Sequence, residues 1–321
     1  MMILKAERLL LNLFQTDFEM NREFTFISQL AVITVKSLMP DREDVGNRIE
    51  YKRFHEELKL WTYYRRGDNP SLLNSIGEVD SNIYFDKKDE SIYTRIIPIV
   101  LSNTDYRLIE DEIIRNIIFT TGNFESIFEG ILLGKIIHFL INKENEIIDK
   151  VRSYVIGLSQ VDFFNNYESF YRIPPVNYPG NVKVNFERER LTLLNLFHGI
   201  NSNRYYLIQE ILDILDGKNY KSLLGKIMYD SMYKEAENNL PGFYTVLNDY
   251  LLKLNKSRID PKTLEIKEYI LPDIFSFNEN EIFYHSLLNK GKIIKKEVRD
   301  GFLTSLVQTK SGMYLFRRRP S

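Results

Sequence analysis

Arg95 stands in the middle of an otherwise apolar stretch, residues 91–101, which reads SIYTRIIPIVL, and it lies three residues before Pro98. Arginine offers five N–H donors in a planar fork and a charge that does not titrate near neutral pH. The side chain could therefore bind a phosphate-bearing ligand, or it could tie neighbouring segments together inside the fold. Buried arginines are usually paired for structural reasons, so the sequence favours the second role.

Other residue types with chemical potential form no recognisable motif. The four histidines are scattered without metal-ligand spacing, and His138 lies in an apolar stretch typical of a hydrogen-bonded core or rim histidine. The chain has no cysteine, which excludes disulfides, thiolate zinc sites and cysteine nucleophiles. Dinucleotide fingerprints, P-loops, HExxH motifs and nucleophile elbows do not occur in the sequence.

The overall composition is that of an ordinary globular protein. Of the 321 residues, 44% are hydrophobic and 27% are charged, and the net charge is −1. Such a balance provides no general attraction to nucleic acid or to an anionic membrane, so neither is expected as a partner. The start, MMILKAERLLLNLF, is too interrupted by charge for a signal peptide core, and no run approaches a membrane span. We expect a cytoplasmic protein.

Helical periodicity dominates the chain before residue 256. One apolar face is shared by residues at steps of three, four and three, namely Tyr51, Phe54, Leu58 and Trp61. Further helices are predicted at 187–198, 204–216, 221–237 and 241–254. The stretch FESIFEGILLGKIIHFLI, which follows the plausible N-cap Asn123, is apolar on nearly all sides and predicts a central buried helix. Gly130 and Gly134 lie on one face of it and would allow another helix to approach closely.

The pattern changes at two places. Residues 162–186 contain three prolines and many aromatics, which predicts a long ordered loop lying over the body. From Gly291 apolar and polar residues alternate, with turn signals at 300–301 and 310–312, which predicts a small C-terminal β-meander. We therefore divide the chain into a helical domain, 1–255, and a C-terminal appendage, 256–321.

The order of these elements resembles the ADP-ribosylglycohydrolase family, which has an all-α fold with two Mg²⁺ ions in a cleft. Four stretches carry the resemblance in the family's order: FTFISQLAVITVKSL (24–38), RFHEELKLWTYYRRG (53–67), ESIYTRIIPIVL (90–101) and IIFTTGNFESIFEGILLGKIIHFL (117–140). A weaker fifth match is GKNYKSLLGKIMYDSM (217–232). The resemblance covers roughly residues 1–255 and implies a mainly α, ADP-ribosylglycohydrolase-like globule.

The resemblance fails at the positions that bind metal in the family. The family's Thr-Asp-Asp-Thr corresponds to residues 25–28, TFIS, and its Gly-Gly-Asp-Thr-Asp-Thr start corresponds to residues around 219–222, NYKS. Hard divalent cations need several oxygen ligands, and the matching carboxylates are missing here. The positions at which a vestigial cleft is expected are Thr25, Ser28, Glu90, Ser91, Arg95, Thr121, Asn219, Lys221 and Ser222.

These departures favour a catalytically inactive relative with no cofactor and no metal, which binds a protein partner or an ADP-ribose-like ligand. Lys221 could supply positive charge at a former metal position, although the sequence favours a solvated lysine in the first turn of a helix. Residues 162–186 and the meander at 291–319 are candidate recognition surfaces.

Two alternatives remain open. The first is an active, Mg²⁺-dependent glycohydrolase that uses other carboxylates, namely Asp213, Asp216, Asp17, Glu19 and Glu23. The second is an unrelated helical interaction protein, which would lack a cleft between the helices at 24–38 and 221–237.

Overall fold

Helices form most of the protein in the computed structural model, which describes residues 4–158, 163–198, 204–234 and 239–320. A small antiparallel sheet follows near the C-terminal end of this part of the chain. The prediction of a mainly helical fold with a C-terminal β-meander is therefore confirmed at this level.

The helices predicted at 204–216 and 241–254 are confirmed to within two residues, whereas the helix predicted at 187–198 begins earlier, at residue 182. The described residues form fourteen helices. In chain order they are α1 (Ala6–Asn21), α2 (Phe26–Ser37), α3 (Tyr51–Tyr64), α4 (Pro70–Asn74), α5 (Ser81–Asp86), α6 (Tyr93–Ser102), α7 (Tyr106–Thr120), α8 (Phe124–Ile141), α9 (Ile147–Gly157), α10 (Phe163–Tyr167), α11 (Val182–Phe197), α12 (Tyr206–Leu215), α13 (Leu223–Tyr233) and α14 (Gly242–Asn255). Residues 235–237 of the predicted 221–237 helix lie outside the described residues.

Helix α8 lies at the centre of the helical body, as predicted. Asn123 is its N-cap and accepts a hydrogen bond of 3.0 Å from the backbone N–H of Ser126. A methyl group added at Gly130 would collide with Ile117 of α7, and one added at Gly134 would collide with Ile113. The two glycines therefore allow α7 and α8 to pack closely, which confirms the role predicted for them.

The prediction of a long loop at 162–186 is wrong in detail. Residue 162 lies outside the described residues, and the rest contains α10, two single 3₁₀ turns (Glu168–Phe170 and Pro175–Asn177) and the start of α11. The expected packing on the body is confirmed, because the Phe186 ring lies 4.8 Å from that of Phe128 in α8. The short helices lie mainly on either side of the three prolines, and the composition alone did not indicate them.

Two short strands were not predicted. They are β1 (Leu38–Pro40) and β2 (Asn47–Ile49), and they form an antiparallel pair between α2 and α3. Strands of three residues contain too little alternation to be read from sequence. Helices α4, α5 and α9 were missed as well.

The C-terminal sheet has the strand order β3 (Ile282–His285), β4 (Asn289–Arg299), β5 (Phe302–Thr309) and β6 (Gly312–Arg318). Its last two connections are the tight turns predicted at 300–301 and 310–312, while β3 is an additional strand. Phe316, Val307 and Ile293 are fully buried and form one cluster with Leu60 of α3. The sheet therefore packs directly against the helical body.

Candidate functional site

A cleft of about 420 Å³ opens where the N-terminal ends of α2 and α13 meet the segment that precedes α6. This is the pair of helices between which the sequence predicted a cleft, and the volume lies within the range of small-molecule sites. Its polar walls come from Asp68, Asn69, Lys88, Glu90, Ser91 and Ser222. Its aromatic walls come from Phe26, Tyr93 and Tyr206.

The N-terminal end of α2 is bound by a buried carboxylate, Asp17. Its Oδ2 accepts hydrogen bonds from the backbone N–H groups of Thr25 (2.8 Å) and Ser28 (3.2 Å). Both hydroxyls also donate to Asp17, at 2.7 Å from Thr25 and 2.6 Å from Ser28. An anion at a helix N-terminus is favourable, so Asp17 stabilises α2. Thr25 and Ser28 are thus bound within the fold, next to the cleft wall formed by Phe26.

The N-terminal end of α13 is likewise bound by a carboxylate, that of Glu210. Glu210 accepts hydrogen bonds from the backbone N–H groups of Lys221 and Ser222, and the Ser222 hydroxyl accepts one of 3.0 Å from Gly225. Ser222 lines the cleft. The side chains of Asn219 and Lys221 are exposed and do not belong to the described cleft walls. The hypothesis that Lys221 supplies charge to the cleft therefore has no geometric support.

Arg95 lies behind the cleft and is fully buried. Its Nη1 donates to Asp89 Oδ2 at 2.8 Å, Nε to Asn116 Oδ1 at 2.8 Å, and Nη2 to Thr120 Oγ1 at 3.1 Å. These contacts join α6 to α7 and to the segment before α6. All three nitrogens of the guanidinium are thus bound by protein groups.

Asp89 connects this buried cluster to the cleft wall. Its Oδ1 accepts hydrogen bonds from Asn69 Nδ2 (2.8 Å) and from the Ser91 hydroxyl (2.9 Å), and both of these residues line the cleft. Burial alone would raise the pKa of Asp89. The charge of Arg95 and the donated hydrogen bonds outweigh burial and hold this pKa below its ordinary value. Asp89 is therefore an ionised, structural carboxylate.

Lys88 is the basic residue of the cleft wall. Its Nζ lies 2.7 Å from Glu125 Oε1 and 3.0 Å from Glu129 Oε2, and it stands over the Tyr206 ring at 4.8 Å. Glu129 is fully buried, and neither of its oxygens has a hydrogen bond of good geometry among the described residues. Burial raises the pKa of Glu129 to about 7, although the charge of Lys88 opposes this shift.

The remaining predicted residues do not meet at the cleft. Thr121 is buried and donates to the backbone carbonyl of Tyr84 at 2.9 Å. The carboxylates considered for an active enzyme all have other partners or positions. Asp213 pairs with Lys218, Glu19 with Lys226, Glu23 with Arg66, and Asp216 is exposed at the end of α12. Within the described ranges, no group of three or more His, Asp or Glu side chains is arranged to hold a metal ion.

Sequence reasoning found Glu90, Ser91 and Ser222 but missed other residues of the cleft. Lys88 lies only two positions before Glu90 in the sequence, and this proximity could have identified it as a cleft residue. Glu125 and Glu129 are four residues apart in a mainly apolar helix, a spacing that favours a shared cationic partner. Tyr206 gave no local signal, because it reaches the cleft only through tertiary packing.

No protein-family model matches this chain, and no curated protein matches it. Within the ranges that the structure describes, none of the helices combines the length and apolar composition needed to cross a bilayer.

Proposed function

We propose that the protein is a non-catalytic binding protein with an ADP-ribosylglycohydrolase-like helical body, and that its cleft holds the ribose-bearing part of an ADP-ribose-like ligand. The observation that carries the proposal is that three segments distant in the sequence meet at one cleft. The start of α2, residues 90–91 and the start of α13 are far apart in the chain, and they are among the stretches that resemble the family. All three line the same cleft.

The chemistry of the walls favours a sugar over a polyphosphate. Glu90 and the hydroxyls of Ser91 and Ser222 can exchange hydrogen bonds with ribose hydroxyls, and the Tyr206 ring offers an apolar face. Lys88, the basic side chain of this wall, is already paired with two glutamates. A pyrophosphate would therefore find little uncompensated positive charge, and we place it towards solvent.

We propose a non-catalytic protein because the carboxylates nearest the cleft are already hydrogen-bonded to the backbone. Asp17 and Glu210 lie at the helix ends that border the cleft, but each accepts backbone N–H groups from those ends. A carboxylate that is bound in this way cannot turn away from the helix end to activate water without leaving those donors unpaired. The same bonds would oppose its recruitment as a metal ligand.

Calorimetric titration of ADP-ribose into the full chain, with Mg²⁺ and then with EDTA, tests the proposal. We expect equal binding in both conditions, and adenosine should retain most of the affinity because the ribose is the recognised part. Glu90→Ala should weaken binding about tenfold, a loss of one or two good hydrogen bonds. Glu78→Ala, an exposed glutamate outside the described cleft walls, is the matched control.

Two results would overturn the proposal. Binding that requires Mg²⁺, or release of ADP-ribose from a modified substrate, would favour the active-enzyme alternative. No heat of binding in either condition would remove the cleft as the ligand site and leave the protein-partner alternative, with the outer surface as the place to search.

A further inference from the structure

A second and larger cavity lies apart from the cleft, where α2, α3 and α14 face the C-terminal part of the chain. It is a groove with a volume of about 910 Å³. One side is helical, and the other is built by residues 263–268, the end of β3 and the turn before β6. Sites at the junction of two structural units are common places for small ligands.

Aromatic side chains form much of the groove. They come from both sides and are Tyr64, Phe243, Tyr250, Tyr284 and Tyr314. Tyr284 is 55% exposed on the strand side, so part of this aromatic surface is accessible to a ligand. Rings of this kind bury a hydrocarbon or aromatic body well, since each contributes a large rigid apolar area.

Four basic and three acidic side chains line the groove, and several of them neutralise one another. Lys36 is ion-paired with the buried Glu57 and donates to the carbonyl of Leu287 at 2.9 Å. Glu265 pairs with Arg42 at 2.7 Å. The basic residues left over are Arg53, Lys267 and Lys310, against one acidic residue, Glu268. The groove is therefore basic.

Arg53 is a groove residue whose hydrogen bonding is incomplete. Its Nε is buried and has no hydrogen-bond partner among the described residues. Its Nη1 reaches the carbonyl of Leu264 only at 3.5 Å, the outer limit of a hydrogen bond. A buried N–H without a partner is rare and costs free energy. The Arg53 side chain as a whole is only half-buried, and one weak bond for five N–H donors leaves its guanidinium with donors for an acceptor in the groove.

We propose that this groove binds an amphipathic organic acid, with its apolar body among the tyrosines and its anionic head on Arg53. A carboxylate and a phosphate both match the planar fork of a guanidinium, so either head group satisfies the geometry. Lys267 and Lys310 add positive charge at the walls. This site is independent of the cleft proposed for the ribose-bearing ligand.

The test is calorimetric titration of the full chain with decanoate, decyl phosphate and the neutral decanol. We expect saturable binding of at least one acid, and at least tenfold weaker binding of decanol. The acid that binds more tightly identifies the head group. ADP-ribose should not compete, so failure here is distinguishable from failure at the cleft. Absence of saturable binding by both acids would overturn the proposal.

Two variants locate the site. Arg53→Met should weaken acid binding at least tenfold and leave decanol unchanged, whereas Arg107→Met removes an exposed charge elsewhere and should change nothing. Val246 lies at the groove and is 66% exposed, so Val246→Trp can occupy the space without disturbing the core. It should weaken binding of all three ligands, while the exposed control Val176→Trp should not. Unchanged binding in Val246→Trp would contradict the placement even if Arg53→Met failed to fold.

Discussion

Lys88 and Asp89 are neighbours in the chain, yet they belong to two buried charge clusters of opposite character. In the Arg95–Asp89 cluster, every guanidinium nitrogen has an acceptor, and the carboxylate is ionised. In the Lys88–Glu129 cluster, the glutamate is equally buried, but burial raises its pKa to about 7. The difference lies in the number of donors that surround each carboxylate.

This comparison separates two uses of buried charge. The Arg95 cluster holds α6, α7 and the cleft wall in one arrangement, because each member would be left unpaired by movement. The Lys88 cluster borders the cleft, and burial raises the pKa of its Glu129 to about 7, close to neutral pH. A rigid cluster and a cluster that can bind a proton near neutral pH are therefore adjacent in the structure.

Removing one member of the Arg95–Asp89 cluster should have the largest effect on the free energy of unfolding. Arg95→Met leaves Asp89 as an uncompensated buried charge, so we expect the free energy of unfolding to fall by about 3–5 kcal/mol. Urea denaturation at pH 7 measures this loss. Arg107→Met, which removes a largely exposed charge, is the control and should change stability by less than about 0.5 kcal/mol. A loss below about 1 kcal/mol in Arg95→Met would mean that the cluster does not hold the fold.

The Lys88–Glu129 cluster should make the free energy of unfolding depend on pH. The pKa of Glu129 is near 4.5 in an unfolded chain and about 7 in the folded protein. The folded state thus binds a proton more readily, and this contribution to stability is complete below pH 4.5 and is lost as pH rises towards 7. Glu129→Gln should reduce the difference in unfolding free energy between pH 5.5 and pH 8 by about 2 kcal/mol. Denaturant titrations at both pH values measure it, and an unchanged difference would contradict the assignment.

Glu125, the other partner of Lys88, should behave in the opposite direction. Burial tends to raise its pKa, but the hydrogen bond and charge of Lys88 outweigh burial and lower it. Its stabilising contribution is therefore present above pH 4.5 and is lost as pH falls through the folded pKa. Glu125→Gln should cost about 1 kcal/mol at pH 7 and less at pH 3.5. A cost that grows on acidification would be inconsistent with this pairing.

The smallest effect is expected at Lys221, which belongs to neither cluster. Its exposed side chain does not reach the described walls of the cleft. Lys221→Met should leave the free energy of unfolding within about 0.5 kcal/mol and should not alter the affinity for ADP-ribose. Thermal denaturation and calorimetry check both. Loss of ligand binding would restore the hypothesis that this lysine replaces a metal ion.

Local patterns in the sequence predicted what depends on neighbouring residues. Asn123 as an N-cap, the close-packing glycines at 130 and 134, and the meander turns are all decided within a few positions. Interactions across the chain could not be read in this way. Glu129 meets Lys88 across 41 positions of sequence, and Arg53 shares its groove with Lys267 and Lys310. Such partners depend on how the helices pack, which one sequence does not encode locally.

The same limit explains the candidate site. Ser222 and Glu90 were found because they belong to stretches with a recognisable pattern, whereas Tyr206 reaches the cleft from the start of α12 without one. Asp17 was considered as a metal ligand because its type and position suited that role. Only the structure reveals that four donors from Thr25 and Ser28 surround it.

The close approach of α7 and α8 has a consequence for local opening of the protein. Gly130 and Gly134 have no side chains, so Ile117 and Ile113 of α7 pack directly against the backbone of α8. No flexible side chains at these two positions fill the space between the helices. We expect the two helices to separate as one cooperative unit. Backbone amides in the middle of α8 should exchange with solvent deuterium only on global unfolding, whereas those of the exposed turn at 310–312 should exchange by local fluctuation.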